Sequence, residues 1–321
     1  MILLRWVFAF ASVFFYIENL NAQSYPAKPV RLIISFTAGS STDIVARIVM
    51  QKVSEYWGQP AVIENRAGAG GSIGSNVVAT AAPDGYTLLV NSSAHAVNPA
   101  IFAKLPYDTL KDFIDIVPLT VQPNVLVVNT TSPYKTMMDL VNSSRANPGA
   151  LNFGHAGIGS GTHLNTERFI AAAGMNVTQV PFKGTPEVIA ALLSDSVHCY
   201  WSPISAGMSA IKGGKLRALA VSSARRNPTL PEVPTTGEAG VKGADSPLWF
   251  GMWAPAGAPA EIVRKISADV RKALADPGVK EKLLALGNDA MDMSPAEFAR
   301  FVREEIDTYQ RVIKAAGIKP Q

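Results

Sequence analysis

Two turns rich in glycine and hydroxyl side chains constrain this chain more than any other feature. Phe36-Thr37-Ala38-Gly39-Ser40-Ser41-Thr42-Asp43 and Gly154-His155-Ala156-Gly157-Ile158-Gly159-Ser160-Gly161-Thr162-His163 each follow a short apolar run, and each opens a helical pattern. An apolar run that feeds a helix through so short a turn is a βα unit, and repetition of that unit places the chain in the α/β class with parallel strands and right-handed crossovers. Such a turn also leaves the first N–H groups of its helix unpaired, where the helix dipole favours negative charge. The pair of turns therefore predicts two anion-binding cradles, with a carboxylate as the anion.

The rest of the chain repeats the same grammar. Val30 to Ser35 reads as a buried strand, followed by a helix from Asp43 to Trp57 with Thr42 as its cap and Gly58 as its stop. Ala61 to Glu64, Thr87 to Asn91 and Asn124 to Asn129 read as further strands, with helices from Ser75 to Ala81 and from about Lys135 to Ala146. A second set follows: strand Leu151 to Phe153, helix His163 to Ala173, strand Val177 to Pro181, helix Pro186 to Ser194, and strands Val197 to Trp201 and Leu216 to Ser222. The proline-rich stretch Asn227 to Pro234 looks like an excursion between lobes. Helices close the chain at Ala260 to Leu274, Val279 to Leu286 and, behind the capping box Ser294-Pro295-Ala296-Glu297, to about Ala315; they are expected to clad the first lobe.

Met1 to Ala22 carries Arg5, an apolar stretch from Trp6 to Ile17 and a polar end, the pattern of a secretory signal peptide cut after Ala22. Its apolar part is short of the roughly 20 residues that span a bilayer. The remaining chain of about 300 residues is long enough for two lobes, because single cores stop growing near that size. The formal net charge is +4 and no run of Lys and Arg is interleaved with aromatics, which argues against nucleic acid as a partner. Cys199 is the only cysteine, so no internal disulfide can form.

Several chemistries fail on spacing. Gly157-Ile158-Gly159-Ser160-Gly161-Thr162 and Gly68-Ala69-Gly70-Gly71-Ser72-Ile73 both lack the third glycine of a dinucleotide fingerprint, and neither carries Gly-Lys-Ser/Thr. Gly159-Ser160-Gly161 is not a nucleophile elbow. His95, His155, His163 and His198 are scattered without metal-site spacing, so no metal or cofactor is expected. His155 and His198 read as packing or surface residues, whereas Ser92 and His95 arrive at the carboxyl end of a strand, where open α/β sheets bind ligands. Asp43 has two roles open to it: complementing the helix dipole, or orienting the turn by accepting backbone N–H groups. Arg66 and Lys183 offer positive charge, with exposed surface side chains as the plain alternative.

These residues carry a resemblance. Tyr25-Pro26-x-Lys28-Pro29-Val30-Arg31, the Phe36 to Asp43 turn with Ile44-Val45-Ala46-Arg47, Glu64-Asn65-Arg66-x-Gly68-Ala69-Gly70-Gly71-x-Ile73-Gly74 and Pro83-Asp84-Gly85-Tyr86-Thr87 run together through the first half. Asn152-Phe153-Gly154, Gly159-Ser160-Gly161-Thr162-His163-Leu164, Val180-Pro181-Phe182-Lys183-Gly184 and Gly214-Lys215-Leu216-Arg217-Ala218-Leu219-Ala220-Val221 continue it. The whole mature chain resembles the periplasmic solute receptors of tripartite tricarboxylate transporters, the Bug proteins of Bordetella-like bacteria. The resemblance implies a two-lobed periplasmic binding protein of the class II Venus flytrap type, each lobe a mostly parallel sheet flanked by helices. Lobe 1 would comprise residues 23–124 and 225–321, lobe 2 residues 125–224, with the ligand between them.

The resemblance also implies a ligand carboxylate held by the first turn and by Gly159 to His163. The full set of expected ligand-binding residues is Phe36, Ala38, Gly39, Ser40, Ser41, Thr42, Asp43, Ser92, His95, Gly159, Ser160, Gly161, Thr162, His163, Lys183 and Ser202. Relatives often carry a carboxylate at the position of Ser202, where it meets an amino group; the neutral Ser202 favours a plain organic acid. The expected protein is a monomeric periplasmic receptor that hands a small organic acid to transporter membrane subunits. Two rival readings are a hydrolase using Ser160 or Cys199 and a sensor subunit of a signalling system.

Overall fold

The computed structural model describes residues 25–315, so the expected signal segment 1–22 lies outside the described residues. The chain forms β1 (Val30–Ile34), α1 (Ser41–Trp57), β2 (Ala61–Asn65), a 3-10 turn (Ala69–Gly71), α2 (Ser72–Ala79), β3 (Thr87–Ser92), α3 (Ala94–Ile101), β4 (Phe113–Gln122), β5 (Asn124–Asn129), α4 (Met137–Ala146), β6 (Asn152–His155) and α5 (Gly161–Ala173). It continues as β7 (Thr178–Pro181), α6 (Thr185–Leu193), β8 (Cys199–Pro203), α7 (Ile204–Lys212), β9 (Leu216–Val221), β10 (Leu248–Pro255), α8 (Ala260–Ala275), α9 (Pro277–Ala285), β11 (Asp289–Ala290) and α10 (Pro295–Ala315).

These strands make two sheets and hence two lobes. The first has the order β11-β4-β10-β3-β1-β2 and the second β7-β6-β8-β5-β9. Both are mixed rather than mostly parallel. In the first, β1 pairs in parallel with β2 and β3, while β10 runs antiparallel to β3 and β4. In the second, β6 pairs in parallel with β7 and β8, while β5 runs antiparallel to β8 and β9. Each parallel part carries one of the two Gly/Ser turns, at the ends of β1 and β6. The antiparallel strands arise because the chain leaves the first sheet at Pro123, between β4 and β5, and re-enters it with β10.

Successive residues of β1 point to opposite faces, as strand geometry requires. Leu32 and Ile34 pack with Val45, Val49 and Val53 of α1 and Ile266 and Val270 of α8, whereas Ile33 packs with Val97, Trp253 and Phe298. In the second sheet Leu126 and Val128 face Phe153 and Trp201, while Val125 and Val127 face Tyr200 and Ile204. The closing helices do clad the first lobe: α8 joins one face and Phe298, Val302 and Ile306 of α10 the other. Leu230, Val233, Val241 and Ala244, however, lie in the cores of the second lobe, although the sequence reading assigned everything from residue 225 onward to the first.

Elements absent from the sequence reading are β4, β10, the short β11, the 3-10 turn, α3 and α7. All eight residues of β10 are buried. Its mid-strand Gly251 is required by packing, because a Cβ there would come within 2.4 Å of Phe298 Cζ. Pro118 of β4 sits opposite Gly251, beside a register shift, the kind of irregularity that accommodates a proline within a sheet.

Candidate functional site

The two turns are near copies of each other. Ser40 N–H donates to the Thr37 carbonyl and Ser160 N–H to the Gly157 carbonyl, both at 3.1 Å. The third residue of each turn is a glycine in the left-handed region, Gly39 at φ +78° and Gly159 at φ +82°, the value that a type II turn requires at that position. Ser40 and Ser160 are the N-caps of α1 and α5, at φ/ψ of −69°/160° and −71°/157°. Thr42 was expected as the first cap, and the second helix was expected to start at His163. Both helices begin earlier because the serine hydroxyl accepts the N–H three residues on, from Asp43 at 3.4 Å and from His163 at 3.1 Å. The same two residues then accept the glycine amide: Gly39 N–H donates to Asp43 Oδ2 at 3.0 Å, and Gly159 N–H to His163 Nδ1 at 3.4 Å.

This bonding consumes the third helical amide of each helix and leaves the first two, at Ser41, Thr42, Gly161 and Thr162, with no acceptor among the described residues. All four residues line one cavity, together with Phe36, Ser40, Ser92, Ser160 and Thr185 and an apolar wall that includes Pro203, Leu248 and Phe250. No carboxylate, imidazole or side-chain amide belongs to the lining. Its hydroxyls already spend lone pairs inward: Ser40 and Ser160 on their caps, Ser92 on Ala94 N–H at 3.3 Å and Thr162 on Ala156 N–H at 3.0 Å. Each keeps its proton and one lone pair, and the Ser160 and Thr162 hydroxyls, 3.1 Å apart, share one of their two protons. The cavity measures about 20 Å³, little more than one water needs.

Eight expected residues line this cavity: Phe36, Ser40, Ser41, Thr42, Ser92, Ser160, Gly161 and Thr162. Ala38 and Gly39 lie on the exposed outer side of their turn. Asp43, Gly159 and His163 act behind the cradles. Burial pushes the Asp43 carboxyl up, but hydrogen bonds from Arg47, Gly39 and Asn65 and the Arg47 charge outweigh it and hold it below the usual carboxylate range. His163 shares its other nitrogen with Glu167 at 3.5 Å.

Three expected residues lie elsewhere. His95 is fully buried against Phe113 and Trp253, with neither ring nitrogen hydrogen-bonded. It misses the cavity because α3 starts at Ala94 and turns its side chain into the core. Burial holds it neutral, its pKa pushed down to about 3. Ser202 is buried too, but its hydroxyl bonds the Pro203 carbonyl at 3.2 Å and lies against Gly207 of α7, so its neutrality says nothing about a ligand amine. Lys183 is exposed and lines a neighbouring groove with Gly68, Gly70, Phe102, Gly157 and Phe182.

Thr185 was not anticipated as a lining residue, nor were Leu248 and Phe250. Thr185 is the first residue of α6, and its hydroxyl lies 2.9 Å from that of Tyr200, which burial keeps protonated by pushing its pKa up. Cys199 is wholly inside the second core, and burial pushes its thiol up, so it is not a nucleophile. The ring nitrogens of His163 face Gly159 and Glu167, not Ser160. Among the described residues no cluster of three or more His, Cys, Asp or Glu could hold a metal ion, and no helix is long and apolar enough to cross a membrane.

The lobes meet closely around the cavity. Ser41 and Ser205 hydroxyls are 2.6 Å apart. A Cβ on Gly70 would lie 2.2 Å from the Ile158 carbonyl, and one on Gly184 would lie 1.9 Å from Thr37 Oγ1. The cavity is therefore lined by both lobes, and its small volume follows from their approach.

The profile of the tripartite tricarboxylate transporter family receptor matches residues 45–318. The chain is 35% identical to the UPF0065 protein in the tcbD-tcbE intergenic region of Pseudomonas sp. (strain P51), over 92% of this chain and 88% of that one. Among solved structures it is similar to the periplasmic binding protein BugD, with a TM-score of 0.89 and 32% identity over 92% of this chain and 100% of that one. It is also similar to R. palustris Rpa4515 with adipate, with a TM-score of 0.90 and 35% identity over the same shares.

Proposed function

The chain belongs to the tripartite tricarboxylate transporter receptor family, and from that premise we propose that it captures a small organic carboxylate in the periplasm and delivers it to membrane subunits of such a transporter. The observation that carries the ligand class is the convergence of four unpaired amides, two from each lobe, on a cavity whose side chains offer donors and no charged acceptor. A carboxylate has only acceptors to give, and it meets the positive ends of both helix dipoles. A protonated amine would find no carboxylate there to offset its charge. Ser40, Ser41 and Thr42 from one lobe and Ser160, Gly161 and Thr162 from the other hold the anion in this reading. Asp43 and His163 hold the turns, and Phe36, Leu248 and Phe250 meet the carbon skeleton. The similarity to an adipate-bound receptor supports the same class.

The energetics are adequate. A micromolar complex needs about 8 kcal/mol. Hydrogen bonds to a charged group contribute roughly 1.5–3 kcal/mol each, and several of them cover that figure after the cost of association. Because the anion touches both lobes, it stabilises the closed form over the open one, and closure then serves as the mark of a loaded receptor. The export segment 1–22 and a monomeric state belong to the same proposal, as does a two-lobe division whose second lobe takes in Leu230, Val233, Val241 and Ala244 beyond residues 125–224.

The test is a ligand panel on the mature chain. A true ligand at about 100 times its Kd adds roughly 2.7 kcal/mol of stability, which a melting curve detects. Mass spectrometry of whatever natively purified protein releases would then identify it. If aliphatic and aromatic acids leave the melting point unchanged while a neutral sugar raises it, the reading fails.

A further inference from the structure

One side chain behind the cavity carries a polar group that its packing does not require. Tyr200 of β8 is fully buried among Val125, Val127, Val188 and Ile204. Phenylalanine would fill the same apolar space, so the hydroxyl has another role. A buried phenol spends its O–H on a partner. The partner here is Thr185, whose hydroxyl oxygen lies 2.9 Å away. Thr185 lines the cavity, and Tyr200 stands behind it.

Thr185 differs from the cavity's capping hydroxyls. Ser40, Ser92, Ser160 and Thr162 each accept a backbone N–H. Thr185 follows Gly184, the cap of α6, and accepts no backbone N–H among the described residues, so its oxygen is free to take a proton from Tyr200. The two hydroxyls share one of their two protons, and the direction of that sharing decides what the cavity meets. If Thr185 donated, it would turn lone pairs to the cavity, and the phenol proton would need a second acceptor. The other hydroxyl beside the phenol is Thr162, which already accepts Ala156 N–H at 3.0 Å and shares a proton with Ser160 at 3.1 Å. If Tyr200 donates, its own proton is matched and the Thr185 proton is released to the cavity. An anion selects this second arrangement, and the proton received from Tyr200 polarises the Thr185 O–H and makes it a stronger donor.

We infer that Tyr200 is a positioning residue that sets specificity: its phenol donates to Thr185 and thereby presents Thr185 as a hydrogen-bond donor to the ligand carboxylate, against a carboxamide of the same shape, whose NH2 finds one acceptor fewer. The inference rests on the carboxylate reading of the cavity and adds to it a residue that acts through Thr185 without lining the site.

The test is titration calorimetry on the mature protein with the straight-chain acids from acetate to hexanoate and with adipate, each beside its carboxamide. Wild type, Tyr200→Phe, Thr185→Val and the double variant are compared. Y200F should weaken the acids by about fivefold and change the amides by less than about twofold, a difference that a purely structural role would not produce. T185V removes the donor itself and should weaken the acids by about tenfold. The double variant should match T185V to within about twofold, because Tyr200 acts through Thr185. Where an amide binds too weakly to read, this cycle decides. Equal losses for acids and amides in Y200F, or additive losses in the double variant, would overturn the role of Tyr200 and leave the carboxylate cradles standing. Should Y200F fail to fold, T185V decides alone, and acid affinities that it leaves unchanged would overturn the inference. Failure of every acid to bind the wild type would remove the cradle reading and the inference with it.

Discussion

The amide of Gly39 donates to the carboxylate of Asp43, 3.0 Å away and four residues on, so the acid inside the first cradle is a strut for the turn. The same carboxylate takes Arg47 at 2.9 Å and Asn65 at 3.0 Å, which offsets its charge before an anionic ligand arrives.

Asp43→Ala should therefore destabilise the protein by about 1–3 kcal/mol and weaken ligand binding, because Gly39, Arg47 and Asn65 lose their acceptor. The folded carboxyl titrates below its unfolded value of 3.8, so its contribution is present at neutral pH and is lost as pH falls below that value. Melting curves between pH 7 and pH 3 should show a steeper acid limb in the wild type than in D43A. Superimposable limbs would contradict the strut.

Both turns were legible in the sequence because their signals are local, glycine and hydroxyl side chains between an apolar run and a helical pattern, although the first cap is Ser40 rather than the Thr42 that the sequence suggested. The apolar wall was not, since Leu248 and Phe250 reach the site from a strand that joins the first sheet more than a hundred residues after β4. β10 itself escaped notice because a run with two tryptophans and a central glycine lacks both helical and alternating periodicity. His95 misled for a related reason. Its distance along the chain from the end of β3 suggested the mouth of the site, but one turn of an unanticipated helix was enough to point it into the core.

Gly184→Ala separates closure from folding. Gly184 has φ −174°, extended backbone that any residue adopts, so alanine carries no strain there. Its Cβ would nevertheless lie 1.9 Å from Thr37 Oγ1 and 3.0 Å from Thr37 Cβ on the opposite lobe. Threonine is stiff at χ1 and cannot swing far. Stability without ligand should stay within about 0.5 kcal/mol of wild type, while affinity falls by about tenfold or more. Gly39→Ala should behave in the opposite way, costing about 1 kcal/mol or more of stability through its φ of +78°. An unchanged Kd in G184A would mean that ligand capture does not require the lobes to meet at this seam.

Ser160→Asp tests the anion directly. Aspartate caps helices as well as serine, and its charge suits a helix N-terminus, so the variant should melt at or above the wild-type temperature. Its carboxylate would stand where the ligand's belongs, and binding should fall by about a hundredfold or more through occupancy and like-charge repulsion. Ser160→Ala should do the reverse, losing about 1 kcal/mol of stability with a milder loss of affinity. Titration calorimetry beside thermal melts distinguishes the two, and a Ser160→Asp protein that still binds acids would show that the anion sits elsewhere.

The buried His95 makes a prediction about acid stability. Its ring packs 4.8 Å from Phe113 and 4.3 Å from Trp253, centroid to centroid, and burial pushes its pKa from 6.5 to about 3. The unfolded chain therefore binds a proton below pH 6.5 that the folded chain refuses until about pH 3. Stability from this residue is complete above pH 6.5 and declines as pH falls, by about 1.4 kcal/mol per pH unit at the steepest. Replacing His95 by Leu removes that slope. At pH 7 the substitution should cost little, because it exchanges two unpaired polar atoms for an apolar side chain. Urea unfolding at pH 7, 5.5 and 4.5 reads the difference. The wild type should lose stability faster than H95L across that series, with His155, whose pKa burial and His163 also lower to about 3, supplying the slope that remains. Parallel losses in the two proteins would mean that His95 takes up its proton without leaving the core.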